Sequence, residues 1–139
     1  MSARTKSRKR AVEALYAADL RDAMATDILA EMRTAMSDRQ NQADIFDFAE
    51  ILVSGVLKNQ IEIDQRISSL SQNWPMDRMP AVDRAILRLA CFEILYLTDT
   101  PAAVAVSEAV GIASDLSTDD SPAFINGVLA AILATRKPI

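Results

Sequence analysis

Apolar residues recur along this chain at the spacing of helices, and no stretch alternates in the manner of a half-buried strand. Val12, Leu15 and Tyr16 stand at i, i+3 and i+4, which predicts a first helix over about Thr5 to Arg21. Ile28, Leu29, Met32 and Met36 predict a second, weaker helix from about Thr26 to Met36, and Ser37 to Gln42 reads as a polar loop. Ile45, Phe48, Leu52, Val56, Ile63, Ile67 and Leu70 share one face at helical periodicity, so a single long third helix is expected. Asn59 lies on that face and is expected to be a buried polar residue satisfied by backbone or by a neighbouring side chain.

Proline sets the remaining boundaries. Trp74 to Pro80 reads as a short connection, followed by a fourth helix over about Val82 to Leu97. That helix is apolar nearly all round, as a central helix packed on several sides must be. Asp83 in its first turn suits the helix dipole. Pro101 opens a fifth helix, with Thr100 as its expected cap and with many small residues, among them Ala105, Ala109 and Gly111. A sixth begins at Ser121–Pro122, a cap followed by proline in the first turn. Phe124, Ile125, Val128, Leu129, Ile132 and Leu133 form its stripe, and the tail 135–139 is expected to fray. The pattern predicts one all-α domain over 1–139 with five to seven helices.

Composition narrows the chemistry. Half of the 139 residues are apolar, only three are glycine and 5% are aromatic, which disfavours a strand-rich sandwich. There is no histidine, so no His-based general base, triad or metal ligand exists. One cysteine, Cys91, allows neither an internal disulfide nor a thiolate cluster. No glycine-rich phosphate loop is present. No cofactor, no metal and no self-contained enzymatic activity are expected.

Charge is distributed unevenly. The formal net charge is −4, yet Arg4, Lys6, Arg8, Lys9 and Arg10 fall within residues 1–10, which hold no acid. The remaining residues hold ten basic and nineteen acidic groups, a net of −9. A short cationic arm on an anionic body is a nucleic-acid-binding signature, with a solvated terminus as the competing reading. On a helical wheel the five cations surround the axis, so the arm is expected to overhang the bundle. Cations at a helix N-terminus also oppose the macrodipole, by about 0.3–1 kcal/mol each. A polyanion would relieve that cost. The basic start lacks the apolar run of a signal peptide. The most apolar stretch, Ala85 to Leu97, contains Arg88 and Glu93 and is too short to span a bilayer. A cytoplasmic protein with no membrane association is expected.

Four segments carry a family resemblance. ARTKSRKRAVEALYAADL (Ala3–Leu20), VDRAILRLACFEILYL (Val82–Leu97), AVAVSEAVGIA (Ala103–Ala113) and DDSPAFINGVLAAIL (Asp119–Leu133) resemble, in order and spacing, the NusB family of transcription antitermination factors. SGVLKNQIEID (Ser54–Asp64) fits as well.

The resemblance implies a NusB-like bundle of six to seven helices in two packed three-helix halves. It implies a non-enzymatic factor that binds boxA RNA of nascent transcripts together with the small-subunit ribosomal protein NusE. That pair works within an RNA polymerase antitermination complex, promoting readthrough and ribosomal RNA operon transcription. RNA contacts carry over to Arg4, Lys6, Arg8, Lys9 and Arg10, and to Tyr16, Asp120 and Phe124. Tyr16 and Phe124 fit equally as core residues of their stripes, and Asp120 as a dipole-favoured acid. The NusE surface carries over to Met76, Met79 and Asp83. Two departures stand out: Ala123 where the family often has Lys, and Ser107 where it often has Asn. Gly111 and Ser114 also replace larger residues. These changes imply weaker RNA contact near Phe124 or a homodimer with an occluded arm. An RNA-targeting module related to the N-terminal domain of an rRNA cytosine methyltransferase is the further alternative.

Overall fold

The computed structural model describes residues 2–71 and 74–136. The described residues form seven α-helices and one single-turn 3-10 helix joined by short connections, with no strand among them. The helices are α1 (Ala3–Arg21), α2 (Ala25–Ala35), α3 (Gln42–Lys58), α4 (Gln60–Leu70), α5 (Ala81–Tyr96), α6 (Ala102–Leu116) and α7 (Ser121–Thr135). The 3-10 turn Met76–Arg78 lies between α4 and α5. α1, α2 and α3 pack as one unit, and α5, α6 and α7 as another, with α4 laid against α5 and α7. α5 touches both units, which is why its surface is apolar nearly all round: ten of its residues, from Asp83 to Ile94, are buried.

The long third helix expected over Ile45–Leu70 is two helices. α3 ends at Asn59, whose backbone N–H bonds the carbonyls of Gly55 and Val56 while its side-chain Nδ2 donates to Gly55 O at 2.8 Å. The amide side chain thus competes with the helical ladder and bends the chain. α4 restarts at once, with Ile63 N–H bonding Asn59 O at 2.9 Å. Asn59 is therefore satisfied by backbone, as expected, but as a junction residue.

Two expected caps are also corrected. Thr100 does not cap α6: its hydroxyl points to Glu93 at 3.5 Å, and Pro101 occupies the N-cap position. Ser121 is the first residue of α7 rather than its cap, and its hydroxyl turns inward. Pro122 does sit in the first turn. At the other end α7 runs to Thr135, and residues 137–139 of the predicted frayed tail lie outside the described residues.

One close approach fixes the fit between the two units. Gly55 on α3 faces Phe92 on α5, and a Cβ at Gly55 would lie 2.0 Å from the Phe92 ring. Only hydrogen at that position lets the ring in.

Candidate nucleic-acid interface

The basic segment does not overhang the bundle. It forms the first two turns of α1, which begins at Ala3 with Ser2 Oγ accepting from Thr5 N–H at 3.1 Å. The expected cost of stacking cations at a helix start is offset by acids from other helices. Arg8 is buried, donating from Nε and Nη2 to both oxygens of the fully buried Glu93 on α5, at 2.8–3.1 Å. Its Nη1 also reaches Glu108 on α6 at 3.3 Å. Thr5 donates to the same Glu108 at 2.7 Å. Lys9 pairs with Asp115 at 2.8 Å, and Arg10 with Glu13 at 2.7 Å.

The five cations are therefore not equivalent. Arg8 is committed to the interior, and its guanidinium offers no open surface. Lys9 and Arg10 are half-buried and paired. Arg4 is exposed, with its guanidinium 3.8 Å over the centroid of the Phe48 ring. Stacking of this kind orders the side chain while leaving its outward donors open. Lys6 is exposed and makes no salt bridge among the described residues. Of the five cations of the basic segment, Arg4 and Lys6 thus present the open positive charge. Glu93, Glu108 and Asp115, which sort the cations in this way, went unassigned at the level of sequence. A carboxylate inside the mostly apolar run Ala85–Leu97 was the available signal for Glu93, since a buried charge requires a partner.

Tyr16 is half-buried and packs against the core. Asp120 is exposed at the N-cap position of α7, and its side chain makes no capping bond. Phe124, one turn into α7, is half-buried and meets the Trp74 ring edge-on, with centroids 4.7 Å apart and planes at 61°. Leu70, Ser71, Trp74, Ala123, Phe124, Gly127 and Val128 border an open cleft of about 560 Å³. The half-buried Phe124 thus lines this cleft beside the small residues Ala123 and Gly127.

The segment before α5 departs from expectation. Met79 and Asp83 are buried, 4% and 0% exposed, so of the three predicted partner residues only Met76 offers surface. The Asp83 carboxylate is turned inward. It accepts from Ser117 Oγ and from Ser121 Oγ, the latter at 2.9 Å, and so ties the α6–α7 corner to the first turn of α5. Its neighbour Arg84 donates to Met76 O at 2.8 Å and pairs with Asp19 on α1. Asp83 thus has a larger task than that of a dipole-favoured acid.

Among the described residues no group of three or more acids, cysteines or histidines is placed to hold a metal ion. No helix among them is long and apolar enough to cross a membrane.

An all-helical bundle whose first helix carries an open basic face, with an aromatic cleft beside its last helix, defines a compact binding domain. Comparison with known proteins places it further. The NusB family model matches residues 5–134. The chain is 46% identical over 136 residues to the transcription antitermination protein NusB of a Nocardioides species, covering 98% of this chain and 97% of that protein. It is 48% identical to the protein of the same name from Leifsonia xyli, covering 99% and 95%. Among solved structures it is similar to T. maritima NusB, with a TM-score of 0.87 and 31% identity over 99% of this chain and 95% of that one. It is also similar to a chain in a crystal structure of the antitermination factors NusB and NusE in complex with dsRNA, with a TM-score of 0.83 and 26% identity over 96% and 98%. The chain belongs to the NusB family.

Proposed function

We propose that this protein is a transcription antitermination factor that binds boxA RNA of nascent transcripts together with ribosomal protein NusE, within an RNA polymerase antitermination complex. It acts by binding rather than by catalysis, in the cytoplasm where transcripts emerge. The observation that carries the reading is the open basic face of α1 in a chain that aligns along nearly its whole length with a NusB found with NusE and RNA. In this reading Arg4 and Lys6 contact phosphate directly, and Lys9 and Arg10 exchange their acidic partners for phosphate. Arg8 supports the face from beneath. Phe124 offers its ring to an unstacked base, a contact worth about 1–3 kcal/mol. Asp120, free of any capping bond, accepts from a base edge. Met76 and the 3-10 turn around it meet NusE, while Met79 and Asp83 shape that surface from inside.

The deciding experiment is fluorescence anisotropy with a short boxA-like RNA and a scrambled control, with and without NusE, at two salt concentrations. Selective binding that tightens with NusE supports the reading. Equal, salt-erased binding to both RNAs refutes it. Replacing Arg4 and Lys6 together with Ala flattens the salt dependence by about 0.7 per lost contact if both meet single-stranded RNA.

A second reading rests on Ile51 and Val104, 53% and 43% exposed, which border the cleft that also holds Arg4 and Phe48. A homodimer closed over that apolar floor would cover Arg4. Sedimentation at two protein concentrations separates this reading from the first.

A further inference from the structure

The RNA-facing ring and the partner-facing turn are joined through one side chain. Trp74 precedes the 3-10 turn Met76–Arg78 and is half-buried. Its indole Nε1 donates to Arg78 O at 3.1 Å, which ties the ring to the far end of that turn. The same indole meets the Phe124 ring edge-on, with centroids 4.7 Å apart. Movement of the turn therefore moves the indole, and the indole borders the same cleft as Phe124.

The turn is held elsewhere by bonds that leave it adjustable. Arg78 N–H and Met79 N–H both bond Pro75 O, at 2.9 and 3.2 Å, and Arg84 holds Met76 O. Every residue of the turn is at least partly exposed. A protein docked on Met76 consequently presses on a short element with few buried contacts, and such elements lie at the low-stability end of a fold.

We propose that Trp74 is a positioning residue that couples partner binding at Met76–Arg78 to RNA binding at Phe124, by carrying displacement of the turn to the aromatic cleft. The inference rests on the functional reading above and adds the route by which the partner sharpens RNA binding. The indole N–H is the link on one side and the ring edge is the link on the other. Phenylalanine at this position keeps an aromatic edge for Phe124 but cannot reach Arg78 O.

Coupling is a ratio of affinities and is reciprocal, so it can be separated from either binding event alone. RNA affinity is measured for wild type, Trp74→Phe, Phe124→Ala and the double variant, each with and without saturating NusE. NusE binding is measured separately, and circular dichroism checks the fold. Wild type is expected to bind RNA several-fold tighter with NusE, within the range of about 5–150-fold usual for coupled sites. In Trp74→Phe the enhancement falls toward one; it is read as the ratio of RNA affinities with and without NusE in the same variant, so any change in basal RNA affinity cancels. The double variant shows no smaller enhancement than Phe124→Ala alone. Trp74 is also the sole tryptophan of the chain, so its emission reports the link directly. NusE added to wild type without RNA shifts that emission, and the shift persists in Phe124→Ala.

Full enhancement in Trp74→Phe overturns the coupling route and leaves the functional reading intact. An emission spectrum unchanged by bound NusE overturns the route as well. Absence of selective RNA binding by wild type overturns both.

Discussion

The Arg8 guanidinium lies against the Glu93 carboxylate with Nη2 2.8 Å from Oε1 and Nε 3.0 Å from Oε2, and both side chains are shut off from solvent. Two charges buried together require each other. Desolvation opposes their burial, and loss of either partner leaves the other uncompensated. Arg8→Ala or Glu93→Ala is expected to destabilise the fold by about 3–5 kcal/mol. Replacing both with Met recovers most of that loss, because two apolar side chains of similar volume carry no desolvation penalty. Urea unfolding of the four proteins checks the prediction; equal instability of single and double variants would sink it.

Lys9 and Asp115 form the opposite kind of pair, exposed on the acid's side and worth little to stability. Its consequence lies in binding. Asp115 competes with phosphate for the Lys9 ammonium and adds a like charge beside any bound strand. Asp115→Asn is expected to raise RNA affinity at low salt and to steepen the salt dependence by up to about 0.7, one phosphate contact, with a melting temperature close to wild type. Anisotropy titrations across a salt series measure this. Adding Lys9→Ala to the Asp115→Asn chain should then flatten the slope by about 0.7, and a slope unmoved by that second substitution shows that Lys9 meets no phosphate.

Gly55 and Phe92 test the joint between the two packed units. A methyl group at Gly55 would overlap three atoms of the Phe92 ring at 2.0–2.6 Å, and helix backbone cannot give way by that much. Gly55→Ala is expected to destabilise by about 1–3 kcal/mol even though alanine is the better helix former. Phe92→Leu in the same chain opens room for the methyl group, so the double variant should lose less than the sum of its parts. Thermal melts of both singles and the double decide the matter.

Local pattern carried much of this fold, and the failures share one cause. The stripes of α1, α5 and α7 could be read directly because each helix buries one continuous set of apolar positions. The break at Asn59 was hidden because α3 and α4 bury Val56 and Ile63 on either side of it, so the apolar stripe runs on without a gap. Thr100 and Ser121 look like caps in isolation, but their hydroxyls turn to buried carboxylates on α5: Glu93, seven residues back, in one case and Asp83, 38 residues back, in the other. The basic segment was misplaced for the same reason. Its partners Glu93, Glu108 and Asp115 stand 85 to 106 positions away, and no local rule joins them. The candidate site residues fall on three segments: α1, the stretch from the 3-10 turn into α5, and the start of α7. Which of them face outward, and that Met79, Asp83 and Arg8 do not, is a tertiary fact.

Cys91 and Tyr96 give stability an expected dependence on alkaline pH. Burial pushes the Cys91 thiol up from 9.0 to about 12. Partial burial, together with the hydrogen bond that Tyr96 donates to the Glu62 carboxylate, pushes the Tyr96 phenol up from 10.0 to about 12. In both cases the folded chain favours the neutral form more than the unfolded chain does. Their contribution to stability is therefore complete below the unfolded values and is lost as pH rises toward about 12. Stability is expected to hold level to about pH 9 and then fall, first through Cys91 and next through Tyr96. Tyr96→Phe should flatten the upper part of that fall, and Cys91→Ala the lower part. In a Tyr16→Phe background the phenolate absorbance of the folded protein reports Tyr96 alone, since the chain has two tyrosines. Its midpoint should lie well above that of the same chain in denaturant. Coincident midpoints would remove the Glu62 hydrogen bond from the account, and rapid labelling of Cys91 by a thiol reagent in the folded protein would remove its burial.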